Sequence, residues 1–168
     1  MPLAADTPTR TLREEHKAIL VIISKIEKQL GSANYEALRD NGLPELRDVL
    51  NRHIAKEEEV LFPILQRYLG MDKGVVTAMQ SEHGKIETCF SRISESMTKP
   101  CTSGDSKLAL DTKRIIQLLK PHISKEDNVL FWLAEIKVPE YHYDTLTKQM
   151  DKIDVKHLPK RNLGGKSL

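Results

Sequence analysis

Two stretches of this chain constrain it more than any other feature: HIAKEEEVLF at residues 53–62 and HISKEDNVLF at residues 122–131. Aligned without a gap, they share His, Ile, Lys, Glu, Val, Leu and Phe at the same seven positions, 69 residues apart. Within each, a histidine and a glutamate are four apart: His53 with Glu57, and His122 with Glu126. On a helix that spacing puts both side chains on one face, about 5–6 Å apart at Cβ. A shorter repeat interleaves with the first. Glu15-His16-Lys17-Ala18-Ile19 resembles Glu82-His83-Gly84-Lys85-Ile86, 67 residues later. The chain therefore reads EHxxI, HIxKE, EHxxI, HIxKE.

Apolar residues at helical spacing place these motifs on four long helices. The first runs from about Thr9 to Leu30, with Leu12, His16, Ile19, Leu20, Ile23, Ile26 and Leu30 on one face and Gly31 as its stop. Asn41-Gly42 breaks the pattern, so a second helix is expected from Leu43-Pro44 to Leu69, with Pro63 disturbing it from inside. A third opens after Asp72, a candidate N-cap, and runs to about Met97 with Val76, Met79, His83, Ile86, Glu87, Phe90 and Met97 on its inner stripe. Pro100 and Ser103-Gly104 mark a loop. The fourth helix spans roughly Asp105 to Ile136, and a short fifth runs from Glu140 to about Asp154. No segment alternates as a half-buried strand does. The expected fold is all-α: an up-down-up-down four-helix bundle with a short C-terminal extra helix. The expected organisation is a flexible N-terminus at 1–8, the bundle at 9–137, the short helix at 138–155 and a disordered tail at 156–168.

The polar residues fall on the wrong face. His16, His53, His83 and His122 each lie on the apolar stripe of a different helix, and Glu57 and Glu126 join them. Counted along antiparallel helices at ~1.5 Å per residue, most of them fall in one slab of the bundle, with His16 somewhat nearer one end. A buried carboxylate without a partner is very costly to desolvate. Two similar hairpins facing each other would bring two imidazoles and one carboxylate from each half. That arrangement suits two metal ions, each with its own histidines, with carboxylates able to bridge them.

Composition excludes several alternatives. With 26 basic and 24 acidic residues the net charge is +2, which provides no electrostatic case for nucleic acid as a partner. The longest apolar run, Ala18 to Ile23, is too short to span a bilayer, and MPLAADTPTR does not read as a signal peptide, so a cytoplasmic protein is expected. Cys89 and Cys101 form no CxxC pair and read as reduced bystanders. The basic stretch from Lys156 to Arg161 reads as a solvated terminal segment, and Tyr141-His142-Tyr143 as a cover for one end of the bundle. Nothing matches a nucleophile elbow or a phosphate-binding glycine loop.

At His16, His53-Ile-Ala-Lys-Glu57 with Leu61-Phe62-Pro63, His83, and His122-Ile-Ser-Lys-Glu126, the sequence resembles the hemerythrin-like, or HHE cation-binding, family over about residues 9 to 137. The resemblance implies a bundle enclosing a non-haem, oxo- or hydroxo-bridged di-iron centre. His16 and His53 would ligate one iron, His83 and His122 the other, and Glu57 and Glu126 would bridge them. Manganese or zinc could occupy the same ligands. Two departures stand out. Oxygen-carrying hemerythrins have a histidine four residues after the third-helix histidine, where this chain has Glu87. Their last bridging carboxylate is an aspartate five residues after the fourth-helix histidine, where this chain has Asp127 as well as Glu126 at four. Glu126 is preferred because it mirrors Glu57. Glu87 is either a seventh ligand or an outer, solvated carboxylate, and Glu58 and Glu59 are expected to face outward.

These departures weigh against reversible oxygen carriage. The expected function is binding or sensing of O2 or a related small oxidant, or of iron itself, rather than catalysis, with O2 or NO as the small ligand. A second reading is an enzyme or repair protein acting in nitric oxide, peroxide or iron–sulfur stress. The repair branch typically carries an N-terminal cysteine-containing segment, and MPLAADTPTRTLREEH has no cysteine, which ranks that option lower. A third is a regulatory interaction module whose folding depends on metal.

Overall fold

The computed structural model describes residues 7–70, 74–98 and 105–157, and these form helices, with no strand among the described residues. Asp72, the Pro100 to Gly104 loop, Cys101, residues 1–6 and residues 158–168 lie outside them.

Helix α1 spans Pro8–Gly31. Thr7 caps it, its hydroxyl accepting from the Arg10 amide at 3.2 Å, and Pro8 occupies the first turn where no amide donor is needed. The helix ends at the expected glycine, but the left-handed residue that follows is Ala33, with φ of 51°. Helix α2 spans residues 35–69 and starts eight residues before the expected Leu43, with Asn34 accepting from the Ala37 amide. The Asn41-Gly42 breaker is absorbed by a π-turn at Leu38–Gly42, which the Leu43 amide closes onto the Leu38 carbonyl. A glycine suits Gly42 because α1 passes close by. A Cβ there would stand 2.4 Å from Gln29 Oε1 and 3.0 Å from the buried Ile26 Cγ1.

Helix α3 spans Gly74–Met97 and α4 spans residues 105–137. After a 3-10 turn at Glu140–His142, α5 runs Tyr143–Lys156 and buries Leu146, Met150 and Ile153 against α1 and α2. The 3-10 turn is tied to the end of α2, where Tyr68 Oη lies 2.8 Å from both Tyr141 Oη and His142 Nε2.

Helix α1 runs antiparallel to α4 and to α2, and α3 antiparallel to α4. Arg13 near the start of α1 reaches Glu135 near the end of α4 at 3.2 Å, while Lys120 reaches back to Glu27 at 2.6 Å. On α2, Glu45 pairs with Lys25 and His53 with Glu15 of α1; on α3, Glu82 pairs with His122 and Glu95 with Lys107 of α4.

Two apolar clusters fill the interior. One gathers Ile19, Ile23, Ile26, Leu46, Leu50, Ile86, Phe90 and Leu119; the other gathers Leu12, Leu61, Phe62, Leu65, Val76, Met79, Leu130, Phe131 and Met150. Each such side chain contributes about 1.5–3 kcal/mol on full burial. Between the two clusters lies a layer of buried His and Glu, set where the stripes of α1 to α4 change from one cluster to the other.

Helices α2 and α4 each widen to a π-turn at that layer, at Glu57–Leu61 and Glu126–Leu130. Pro63 follows the first of these turns, where the sequence led us to expect a disturbance. Yet Trp132 holds the equivalent place in α4, and the π-turn forms there too. The widening therefore accompanies the duplicated carboxylates and does not require the proline. π-turns inserted in α-helices concentrate at functional sites.

Candidate metal centre

His16, His53, His83 and His122 converge from α1, α2, α3 and α4, with exposures of 1–4%. Glu57 and Glu126, at 0% exposure, stand among them. His122 Nε2 lies 3.0 Å and His83 Nε2 3.6 Å from Glu126 Oε1; His16 Nε2 lies 3.2 Å and His53 Nε2 4.0 Å from Glu126 Oε2. Glu57 divides in the same way, Oε1 at 3.5 Å from His53 Nε2 and Oε2 at 3.3 Å from His83 Nε2. Two overlapping four-ligand sets result: His16, His53, Glu57 and Glu126, and Glu57, His83, His122 and Glu126. Both carboxylates belong to both sets. The six residues singled out by spacing are thus brought together.

The outer ends of the imidazoles explain how they are aimed. Each Nδ1 meets a carboxylate of a neighbouring helix: His53 with Glu15 at 2.9 Å, His122 with Glu82 at 2.9 Å, His83 with Glu58 at 2.8 Å and His16 with Asp127 at 2.9 Å. A carboxylate accepts, so each Nδ1 donates and each Nε2 is left to present its lone pair inward. Four lone pairs and two carboxylates then face one small volume. His16 Nε2 and His53 Nε2 are only 2.9 Å apart, and all four oxygens of Glu57 and Glu126, with His83 Nε2, are buried without a hydrogen-bond partner. Lone pairs and carboxylates this close repel unless cations or protons stand between them. This donor set fits metal ions.

Protonation follows the same logic. Burial alone would push the His83 imidazole down, but Glu126, Glu57 and Glu58 outweigh it and lift its pKa from 6.5 to about 10. Burial likewise opposes charge on His53, and Glu57, Glu126 and Glu15 raise it well above its ordinary value. Glu126 is held well below the usual carboxylate range, burial being overcome by His122, His16, His53 and His83. Without metal, protons occupy the places of cations. A raised histidine pKa stabilises the fold fully below about pH 6.5, and that stabilisation is lost as pH rises through the folded value near 10. The metal-free protein is therefore expected to show a lower urea midpoint at pH 9 than at pH 6.5. His83→Gln should reduce that difference, and an unchanged midpoint in the wild type would contradict this account.

One expectation needs correction. Glu87 is not in the cluster. Ile86 and Phe90 take the inward positions of α3 there, and Glu87, 59% exposed, pairs with Arg47 at 2.8 Å. Glu58 and Glu59 are exposed, as expected, and Glu58 also holds His83. Asp127 takes no place among the converging atoms and instead orients His16. Sequence reasoning also missed Glu15 and Glu82 as orienting carboxylates. Their signal was present: each directly precedes a histidine in the EHxxI repeat. The repeated lysine of HIxKE has a use as well, because Lys56 bonds Glu15 and Lys125 bonds Glu82.

A family profile for the hemerythrin HHE cation-binding domain matches residues 7–134, a span that includes all six converging residues. The chain belongs to the hemerythrin HHE cation-binding family. Among curated proteins, this hemerythrin-family chain is similar to the iron–sulfur cluster repair protein YtfE of Salmonella paratyphi B, Salmonella newport and Salmonella heidelberg. Identity is 28% over 127 residues in each case, covering 71% of this chain and 57% of the relative's length. The hemerythrin-family chain thus spans little more than half of those relatives. Among the described residues no helix is long and apolar enough to cross a membrane.

Proposed function

We propose that α1 to α4 form an up-down-up-down four-helix bundle, residues 9–137, around two iron ions, and that the protein acts in repair of iron–sulfur clusters damaged by nitric oxide or peroxide. His16 and His53 would hold one iron, His83 and His122 the other, and Glu57 and Glu126 would span both. The carrying observation is the pair of overlapping ligand sets that share two buried, unpartnered carboxylates. Two irons so held would supply one-electron redox change and coordination positions open to a small ligand. The chain's own contribution is to fix the imidazole lone pairs, exclude bulk water with the two apolar clusters, and balance charge with the carboxylates.

The site motifs alone favour binding or sensing of O2 or NO over repair. Similarity to iron–sulfur cluster repair proteins reverses that order. Glu87, paired with Arg47 and outside the cluster, places a carboxylate where oxygen carriers have a further histidine, which supports repair over reversible carriage. A cytoplasmic setting fits the buried free thiol of Cys89.

The test is to load the protein with iron anaerobically and incubate it, with a reductant, beside an enzyme whose iron–sulfur cluster has been damaged by nitric oxide. Repair predicts recovered enzyme activity, beyond that of free iron at equal concentration, and none with Glu126→Gln. No recovery, together with a visible spectrum that changes reversibly with O2, would instead support small-ligand binding.

A further inference from the structure

The metal centre is nearly two-fold symmetric in its ligands and in the carboxylates that orient them, and the symmetry fails one layer further out. Around His53, the orienting Glu15 is bonded by Lys56, which is 1% exposed and also donates to Asp154 of α5 at 2.7 Å. Around His16, the orienting Asp127 lies against Arg13, whose guanidinium donates to the Asp127 carbonyl at 2.7 Å and to Glu135 at 3.2 Å and sits over the Phe131 ring. Arg13 Nη1 also lies 3.5 Å from the Asp127 carboxylate, so both carboxylates of this half face cations that are themselves held. The other half is looser. Lys125, the counterpart of Lys56, bonds Glu82 but is 49% exposed. Glu58, 41% exposed, bonds His83 and, among the described residues, no lysine or arginine.

Access differs in the same sense. A cleft of about 440 Å³ between α2 and α3 reaches His83 itself and is lined by Glu58, Glu59, Gly84 and Glu87. His83 is 4% exposed, and its Nε2 has no hydrogen-bond partner. The acidic side chains along the cleft favour a cation over an anion, and the cleft ends on the imidazole that presents its Nε2 to Glu57 and Glu126.

We propose that the two metal positions are functionally inequivalent: α5 and Arg13 lock the metal held by His16 and His53, while the metal held by His83 and His122 exchanges through the α2–α3 cleft. The inference rests on the two-iron reading above and adds to it which iron is delivered or replaced. Asp154, Lys56 and Arg13 are positioning residues, acting on the ligands only through Glu15 and Asp127. Outer partners of metal-bound histidines typically contribute about 10–100-fold to metal affinity, so losing their anchors should be read directly in release rates.

The experiment is anaerobic release of iron from the fully loaded protein into excess chromogenic Fe(II) chelator, followed in time. Two phases of equal amplitude are expected. Crystals grown from protein stopped after the first phase should retain metal at His16 and His53. Asp154→Asn should accelerate the slow phase about tenfold or more and leave the fast phase unchanged, with Arg13→Gln acting similarly; Glu58→Gln should accelerate only the fast phase. Asp154 is 45% exposed, so its substitution leaves the apolar clusters in place. A single release phase, metal retained at His83 and His122, or a slow phase indifferent to both Asp154→Asn and Arg13→Gln would each overturn the inference. A chain that takes up two irons but repairs nothing would sink the repair reading and leave this inference standing, whereas a chain that takes up fewer than two would sink the two-iron reading and this inference with it.

Discussion

Replacing Glu126 with glutamine is expected to remove both metals from the protein, whereas replacing His122 with alanine removes only one. Glu126 is the residue closest to all four imidazoles: Oε1 faces His122 and His83, and Oε2 faces His16 and His53. Its loss is therefore felt by both ligand sets, while His122 belongs to one. The amide keeps the shape and removes the negative charge, so affinity at each position should fall by more than the roughly 100-fold that an outer partner's loss can cost. In the metal-free protein the same substitution leaves buried imidazolium without its main counter-charge, which costs about 3–5 kcal/mol when one partner of a buried ion pair is deleted. Metal content by mass spectrometry and a urea melt of the chelated protein measure the two effects. Retention of a full complement of metal by Glu126→Gln would show that this carboxylate is not a shared ligand.

Removing metal from the wild type should lower the melting temperature by about 10–15 °C for each ion lost. A ligand a thousandfold above its Kd stabilises by about 4 kcal/mol, and a chain of this size shifts by about 2–4 °C per kcal/mol. The centre can respond so strongly because it lies between two apolar clusters and holds together groups that repel when empty. Differential scanning calorimetry before and after chelation measures it. A shift of a degree or two would mean that protons on the imidazoles replace the metal at little cost.

The six converging residues were legible because each obeys a rule local to its own helix. A polar residue on an apolar stripe, four residues from another and repeated in matching context, needs no knowledge of the neighbouring helix. The repeat marked Glu15 without saying what it does, and it did not mark Glu58 at all. Each sits one residue from a ligand, roughly 100° around its helix, and only the neighbour it meets makes it an orienting group. The π-turns at Glu57 and Glu126 both lie inside the duplicated HIxKE-x-x-VLF, but a helical repeat does not announce a widened turn, and Pro63 marked only the first of them. The early start of α2 was hidden by Asn41-Gly42, where the glycine answers the close passage of Ile26 and Gln29 rather than a break in the helix. Glu87 misled because shared spacing with His83 says nothing about Arg47, which holds it at the surface. The tie between α5 and the centre, through Asp154 and Lys56, is a contact across 98 residues of chain that no periodicity announces.

Anomalous diffraction at the iron absorption edge from crystals of the iron-loaded protein tests the central claim most directly. Two separate iron peaks are predicted, one beside His16 and His53 and one beside His83 and His122, with Glu57 and Glu126 reaching both. A single peak shared by the four histidines, or no peak in a protein whose helices are unchanged, would contradict the two-metal centre.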